Sequence, residues 1–129
     1  RLVSSCEHMA FVKLAAGTTG RQAYQLMKDS STVESYVVNE AGEYVGKLDI
    51  FGAISASENP VEEFLLKEPT ILVADDSLQT AMAKTIDFVG ESIPILSSDK
   101  KFLECVVSEG SIFQAVIDVQ NSVSKIGRA

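Results

Sequence analysis

The sequence repeats itself at a fixed interval, and this repeat limits what the chain can fold into. Three segments recur at an offset of 58 positions: 19–27 as 77–85, 36–38 as 94–96, and 44–45 as 102–103. Each similarity is weak by itself, but all three keep the same order and spacing. Together they indicate two copies of one supersecondary unit within the chain.

The boundaries of the two copies follow from the linker between them. The segment 55–60, SASENP, is polar, ends in proline and lies where the first copy should end. We predict repeat 1 with its entry segment over 1–58, repeat 2 with its linker over 59–121, and a polar tail over 122–129. A half of this size has only a thin core, so we expect the two halves to pack together.

Repeat 1 is predicted to begin with a helix. Thr18 or Thr19 can cap this helix, which runs toward Lys28 and ends at 30–31. The positions expected on its buried face, from helical spacing, are Ala23, Leu26 and Met27. The helix should therefore cover one side of whatever follows it.

A β-hairpin is predicted next. The runs 36–38 and 44–48 are short and rich in β-forming residues, and the turn 39–42, NEAG, ends in glycine. The apolar segment 50–55 is suited to a second helix packed on the hairpin.

Repeat 2 follows the same plan. Asp76 or Ser77 caps its first helix, 93–96 and 102–107 form the hairpin, and Ser111 caps a longer closing helix. The order is thus helix, strand, turn, strand, helix, twice in one chain. This order predicts an α+β fold.

Composition excludes several partners. The net charge is −7 and the basic residues are scattered singly, which argues against binding a nucleic acid polymer. No apolar run approaches the roughly 20 residues that span a bilayer, so we expect no direct membrane insertion of this segment. Because the chain begins with Arg1 rather than Met, we expect it to be cut from a longer polypeptide or trimmed. Its expected localisation is cytoplasmic, including the cytosolic portion of a membrane protein.

The sequence offers no catalytic constellation. His8 is the single histidine and precedes the first repeat, so nucleophilic triads lack a base within the repeats. Cys6 and Cys105 are too few and too far apart in sequence for a disulfide framework or a metal cluster. Cys105 lies in an apolar run typical of a core strand. We therefore predict a protein that is not an enzyme, with no metal site and no required cofactor.

These segments resemble the CBS domain pair over residues 8–119. The residues that carry the resemblance are the entry segment 61–65 and first strand 69–73, the capped helix 75–82, the proline-bearing strand 93–96 and the hairpin 39–48. The resemblance implies two βαββα units packed by their sheets with pseudo-twofold symmetry. It also implies pairing with a second copy into a homodimer, beside an attached transport or catalytic domain.

The resemblance further implies where a ligand would bind. Nucleotide-binding members place Thr or Ser on the phosphate at the end of the third strand, and Asp on the ribose three residues later. Repeat 2 has Ser108 and Ser111 at these positions, and repeat 1 has Asp49 and Gly52, so neither motif is complete. The residues implied beside an adenine base are Ile71, Ile93 and Pro94.

Two functions stay open at this point. In the first, repeat 2 binds AMP, ADP or ATP with Ser108 on the phosphate and regulates an attached domain. In the second, Ser108 and Ser111 only cap the closing helix, and the chain is a ligand-free homodimerisation module. A divalent ion near Asp49 is a further alternative. The closing helix 111–118 near the chain end favours the cytoplasmic part of a ClC-type chloride channel as the parent.

Overall fold

The computed structural model describes the backbone of residues 1–127 and the side chains of residues 1–123. The strands are β1 Val12–Ala15, β2 Glu34–Val38, β3 Tyr44–Asp49, β4 Leu72–Val73, β5 Ile93–Leu96 and β6 Leu103–Val107. The helices are α1 Gly20–Asp29, α2 Ile50–Ala56, α3 Leu78–Lys84 and α4 Glu109–Gly127, with 3₁₀ turns at Val3–Ser5 and Val61–Phe64. The α+β class and the twofold repeat of elements are confirmed.

The chain forms two compact units that do not coincide with the sequence repeats. The repeat-1 unit contains Ala10–Pro69 and Asp99–Leu103, and the repeat-2 unit contains Arg1–Met9, Thr70–Ser98 and Glu104–Ala129. The entry segment at the start of the chain, Arg1–Met9, therefore packs with the second copy of the repeat. The repeat boundaries at 58 and 121 stay a prediction about sequence similarity, since spatial units do not test them.

The repeat-1 unit is a three-stranded sheet with two helices on one face. β1 pairs parallel with β2, and β2 pairs antiparallel with β3, so that Val37 lies opposite Gly46. The buried core between sheet and helices contains Leu14, Ala23, Met27, Val37, Leu48, Ala53, Ala56 and Val61. The helix and hairpin predicted for repeat 1 are both confirmed.

The start of α1 shows why the chain folds this way locally. The Thr19 hydroxyl accepts a hydrogen bond from the Gln22 amide, and the Gln22 side chain accepts one from the Thr19 amide. This reciprocal capping box satisfies two backbone donors that the helix leaves free. Leu26, expected on the buried face, is instead exposed, because the core takes the stripe of Ala23 and Met27.

The repeat-2 unit has the same architecture. Its sheet has the order β4-β5-β6, with Leu72 opposite Ile95 in a parallel pair, and Ser77 caps α3 through the Thr80 amide. Its core contains Val3, Cys6, Leu72, Leu78, Ala81, Ile93, Ile95, Cys105, Val107, Ile112 and Ala115. Cys105 is thus a core residue, as predicted.

Helix α4 is longer than the sequence indicated. The segment from Ser122, expected to be a polar tail, is helical as far as Gly127; residues 128–129 lie outside the described part of the chain. Glutamine, asparagine and serine do not break a helix that has already been nucleated, which explains the difference. Among residues 1–127, no helix is both long and apolar enough to cross a membrane.

Tyr44, at the start of β3 in the repeat-1 unit, has a buried hydroxyl group whose effect on stability can be tested. Its phenolic oxygen is buried without a hydrogen-bond partner among the described residues, and burial raises the pKa of Tyr44 to about 12. An unfolded tyrosine loses its proton near pH 10, so the folded state should lose stability between about pH 10 and pH 12.

We expect Tyr44→Phe to remove this alkaline loss, because phenylalanine has no proton to release. At neutral pH the variant should be about 1 kcal/mol more stable, since an unsatisfied polar atom leaves the interior. Urea denaturation at pH 7 and at pH 11 checks both effects. Tyr24→Phe, at an exposed position of α1, is the control, and equal effects of the two substitutions would contradict the assignment.

Candidate functional site

Ser108 and Ser111 lie at the start of α4 and bond to each other. The Ser111 amide donates to the Ser108 hydroxyl oxygen at 3.0 Å, and the Ser111 hydroxyl donates to the Ser108 carbonyl at 3.0 Å. Ser108 therefore caps the helix, and the prediction that Ser111 is the cap is wrong. The helix begins three residues earlier than a cap at Ser111 implies, because Glu109, Gly110 and Ser111 form its first turn. Both serines remain half-buried.

The apolar residues proposed beside a nucleotide base divide between the two faces of their sheet. Ile93 is fully buried in the core between sheet and helices, which is the core role that the sequence left open. Side chains alternate along a strand, so Pro94 points to the opposite face. Ile71, just before β4, shares that face because its neighbour Leu72 points into the core. Ile71 and Pro94 thus lie on one face of the sheet, and Ile93 lies on the other.

Asp49 and Gly52 lie in the repeat-1 unit, at the start of α2. The Asp49 carboxylate accepts a hydrogen bond from the Gly52 amide at 2.8 Å, so it caps the helix. A negative cap also interacts favourably with the positive end of the helix dipole. No group of three or more ligand-type side chains that could hold a metal ion occurs in the described part of the chain. Among the described residues, a cation at Asp49 would therefore meet fewer than three such side chains.

Gly52 has a packing reason that the sequence did not show. A Cβ at this position would lie 2.6 Å from the Phe64 carbonyl oxygen and 2.8 Å from Cδ1 of Leu48. Real Cβ atoms do not approach backbone this closely, so α2 would have to move to admit any side chain. The aspartate that the resemblance places here therefore has no room in repeat 1.

Asp76 and His8 have structural roles. Asp76 accepts a hydrogen bond from the Val73 amide at 3.0 Å and pairs with the Lys84 ammonium at 2.8 Å. His8 lies on the entry segment with its Nε2 atom 3.0 Å from the Ser4 carbonyl oxygen. These contacts are local, and each is explained by the fold.

Exposed apolar side chains on the helices are the surface feature that the sequence analysis missed. In the repeat-1 unit, α1 and α2 border an open groove of about 520 Å³. Ile54 lines it and is 57% exposed, and Phe51, one turn earlier on α2, is more exposed still. Tyr24 of α1 lines the same groove. The sequence had indicated the segment 50–55 only as an apolar helix packed on the hairpin.

The repeat-2 unit shows the same feature at the equivalent place. A groove of about 400 Å³ lies beside α3 and α4 and is lined mainly by apolar atoms, with Met82, Ile86 and Phe113 among its residues. Phe113 is the fifth residue of α4, as Ile54 is of α2, and it is 54% exposed. Met82 likewise corresponds to Tyr24 at the repeat offset of 58. Both units therefore expose large apolar side chains at matching positions.

A buried ion pair lies on the sheet of the repeat-1 unit. The Lys47 ammonium is 3.0 Å from a Glu34 carboxylate oxygen, and the two side chains are only 3% and 8% exposed. The ammonium also lies 5.8 Å from the centre of the Tyr36 ring, within reach of its negative face. Lysine within the otherwise β-forming run 44–48 was the sequence signal for this pair.

Sequence comparisons and structure comparisons give different answers for this chain. A scan against protein-family models finds no match, and a search of curated proteins finds no similar sequence. The fold, in contrast, is similar to a CBS domain pair/ACT domain protein from Thermotoga maritima, with a TM-score of 0.78 and 16% identity. That alignment covers 92% of this chain and 98% of the other.

Two further solved structures have the same fold. The cystathionine β-synthase pair domain of a putative Mg²⁺ transporter from Shewanella oneidensis aligns with a TM-score of 0.76 and 17% identity, over 89% of this chain and 68% of that one. The cytosolic domain of the Mg²⁺ channel MgtE, solved with ATP, aligns with a TM-score of 0.68 and 18% identity, over 81% and 44%. The chain therefore has the fold of CBS domain pairs.

Proposed function

We propose that the chain is a regulatory CBS-pair module that forms a homodimer through the exposed faces of its helices and so couples to an attached transport or catalytic domain. The observation that carries this proposal is the matching exposure of Ile54 and Phe113 in the two units. Leaving such side chains in water costs roughly 1.5–3 kcal/mol each relative to burial. A partner surface that covers both helix pairs would recover much of this free energy.

A second copy of the chain suits these surfaces. Each unit presents a groove and one strongly exposed apolar side chain beside it, Ile54 on α2 or Phe113 on α4, which we call the ridge of that unit. A twofold operation can place the ridge of one copy in the groove of the other. Large exposed apolar residues such as Phe51, Ile54 and Phe113 are typical of the centre of a stable interface, and charged residues such as Arg21 and Glu109, which line the same grooves, are typical of its rim. The dimer thus needs no small ligand to form.

Substitutions at the ridges test the dimer. We expect Ile54→Glu and Phe113→Glu each to raise the dimer dissociation constant at least about tenfold, because a carboxylate would be buried at the interface. Sedimentation velocity over a concentration series measures this. Leu66→Glu is the matched control, since Leu66 is an exposed apolar residue outside the helices.

The folded state of each variant is checked by circular dichroism and by thermal unfolding. Because both ridge positions are already exposed in the single chain, secondary structure should be unchanged. Variants that dimerise as tightly as the original chain would show that the ridges are not the interface.

Binding of an adenine nucleotide in the repeat-2 unit is the second candidate function. Ser108 and Ser111 lie at the amino end of the 19-residue helix α4, where backbone amides and the helix dipole favour an anion. The MgtE cytosolic domain, which has the same fold, was solved with ATP. In this function Ser108 contacts the phosphate, while the half-buried Ile71 offers apolar surface to the base; Pro94 is buried and would have to be uncovered to reach it.

Completing the motif tests this candidate. Calorimetric titration with AMP, ADP and ATP, with and without Mg²⁺, should show tighter binding to Ser111→Asp than to the original chain, by about tenfold. The reason is that a carboxylate accepts hydrogen bonds from a ribose diol more strongly than a hydroxyl does. Ser108→Ala should abolish the binding, while costing the α4 cap only about 1 kcal/mol. Titrations without heat for both the original chain and Ser111→Asp would leave the ligand-free dimer as the function.

The attached domain is inferred from the class of module. Solved structures with this fold include a domain of a putative Mg²⁺ transporter and the cytosolic domain of an Mg²⁺ channel, so we infer a transporter or channel parent and a place on the cytosolic side of its membrane. A ClC-type chloride channel is the specific parent suggested by the closing helix. Electrophysiology of a candidate parent with and without Phe113→Glu tests whether the module acts on transport.

A further inference from the structure

The two cysteines, far apart in sequence, lie in one hydrophobic core. Cys6 and Cys105 belong to the same buried cluster of the repeat-2 unit, and they are 5% and 8% exposed. Both are free thiols in the structure. They are also the two cysteines of the chain, so any internal disulfide must join them.

Backbone contacts bring the entry segment to the strand that carries Cys105. Cys6 closes the first 3₁₀ turn, with its amide donating to the Val3 carbonyl at 3.0 Å. Three residues later, the Met9 amide donates to the Val106 carbonyl at 2.8 Å. The segment from Cys6 to Met9 therefore runs to the residue beside Cys105. Cys105 points into the core, as does Val107 two residues on, since side chains alternate along β6.

The electrostatics of the thiols agree with this proximity. Burial raises the pKa of the Cys6 thiol. Burial, followed by the negative charges of Glu104 and of the Cys6 thiolate, raises the pKa of Cys105 to about 11. Thiols of high pKa react slowly at neutral pH, but they are poor leaving groups, so a disulfide between them resists reduction once it has formed.

We propose that Cys6 and Cys105 form an internal disulfide in the presence of a small-molecule disulfide such as glutathione disulfide. One cysteine thiolate attacks a sulfur of glutathione disulfide and releases a glutathione thiolate. The second cysteine thiolate then attacks the protein sulfur of the mixed disulfide and releases the second glutathione. Two protein thiols are oxidised, one glutathione disulfide is reduced to two thiols, and the two protons pass to glutathione.

This disulfide would fasten the entry segment Arg1–Met9 to β6 within the repeat-2 unit. It closes a loop of roughly one hundred residues, so it restricts the unfolded chain strongly. The proposal is independent of dimerisation and of nucleotide binding, because it rests on the core of one unit.

Redox equilibration of the full chain tests the proposal. The protein is equilibrated in glutathione buffers of varied composition, under native conditions and in guanidinium chloride, then alkylated and mapped by mass spectrometry. We expect a cross-linked peptide containing Cys6 and Cys105, with an effective thiol concentration at least about tenfold higher in the native chain than in denaturant. The oxidised chain should also unfold at a higher temperature than the reduced one.

Single-cysteine variants provide the control. Cys6→Ser and Cys105→Ser should form mixed disulfides with glutathione and no internal cross-link. An effective concentration in the native chain equal to or below that in denaturant would overturn the proposal, as would covalent dimers in place of the internal disulfide. This comparison uses the original chain, so it stands even where a variant fails to fold.

Discussion

Replacing Gly20 with alanine should cost about 3 kcal/mol of unfolding free energy, the upper end of the range for an overpacked site. Gly20 opens α1 where this helix meets α2 most closely. An added Cβ would overlap the Ala53 carbonyl oxygen and lie 2.6 Å from the Ser57 amide nitrogen. Both are backbone atoms, so relief requires the two helices to separate. Urea denaturation followed by circular dichroism measures the loss.

The same substitution at Gly110 is the matched control. Gly110 lies in the first turn of α4, and its nearest neighbour to an added Cβ is the Ser108 hydroxyl oxygen at 3.8 Å. Alanine there should be neutral or should stabilise the chain by up to about 1 kcal/mol, because it reduces the entropy of the unfolded state. Similar stabilities for Gly20→Ala and Gly110→Ala would contradict the close contact between α1 and α2.

Replacing Lys47 with an apolar residue should cost at least as much unfolding free energy as Gly20→Ala. Lys47→Met leaves the Glu34 carboxylate buried without its cation, which costs about 3–5 kcal/mol in comparable pairs. The double variant Lys47→Met with Glu34→Leu should recover most of this loss, because an apolar pair of similar volume needs no desolvated charge. Chemical denaturation of both single variants and the double variant completes the thermodynamic cycle.

An exposed ion pair serves as the reference for this cycle. The Nε atom of Arg21 lies 2.6 Å from the Oε1 atom of Glu58, but the two side chains are 75% and 68% exposed. Arg21→Met should therefore change stability by about 1 kcal/mol or less. Equal costs at Lys47 and Arg21 would mean that burial of the Lys47 pair has no energetic consequence.

The order of elements could be predicted because local signals agree with the tertiary fold. Thr19, Ser77 and the turn ending at Gly42 act within a few residues of themselves, and each has the structural role its sequence context indicates. Helix lengths were less predictable. Gln120, Asn121 and Ser122 show no apolar periodicity, so the extension of α4 past Ser122 was not visible in the sequence.

The candidate site was harder to predict because its residues depend on contacts between distant segments. The Phe64 carbonyl oxygen leaves no room for a side chain at position 52, and Ile93 packs in the hydrophobic core. Neither contact is visible in the local sequence. The exposure of Ile54 and Phe113 likewise depends on how distant segments pack, which the local sequence does not show. Helical periodicity identifies apolar positions, but only the packed structure shows which of them remain in water.

The oligomeric state of the chain is the most direct test of the central proposal. Sedimentation equilibrium of the original chain, without nucleotide and then with AMP or ATP, determines the mass and its dependence on ligand. The proposal predicts a dimer without nucleotide, strengthened by added salt because each copy carries a net charge of −7. A chain that stays monomeric at all concentrations without ligand and dimerises only with nucleotide would contradict it.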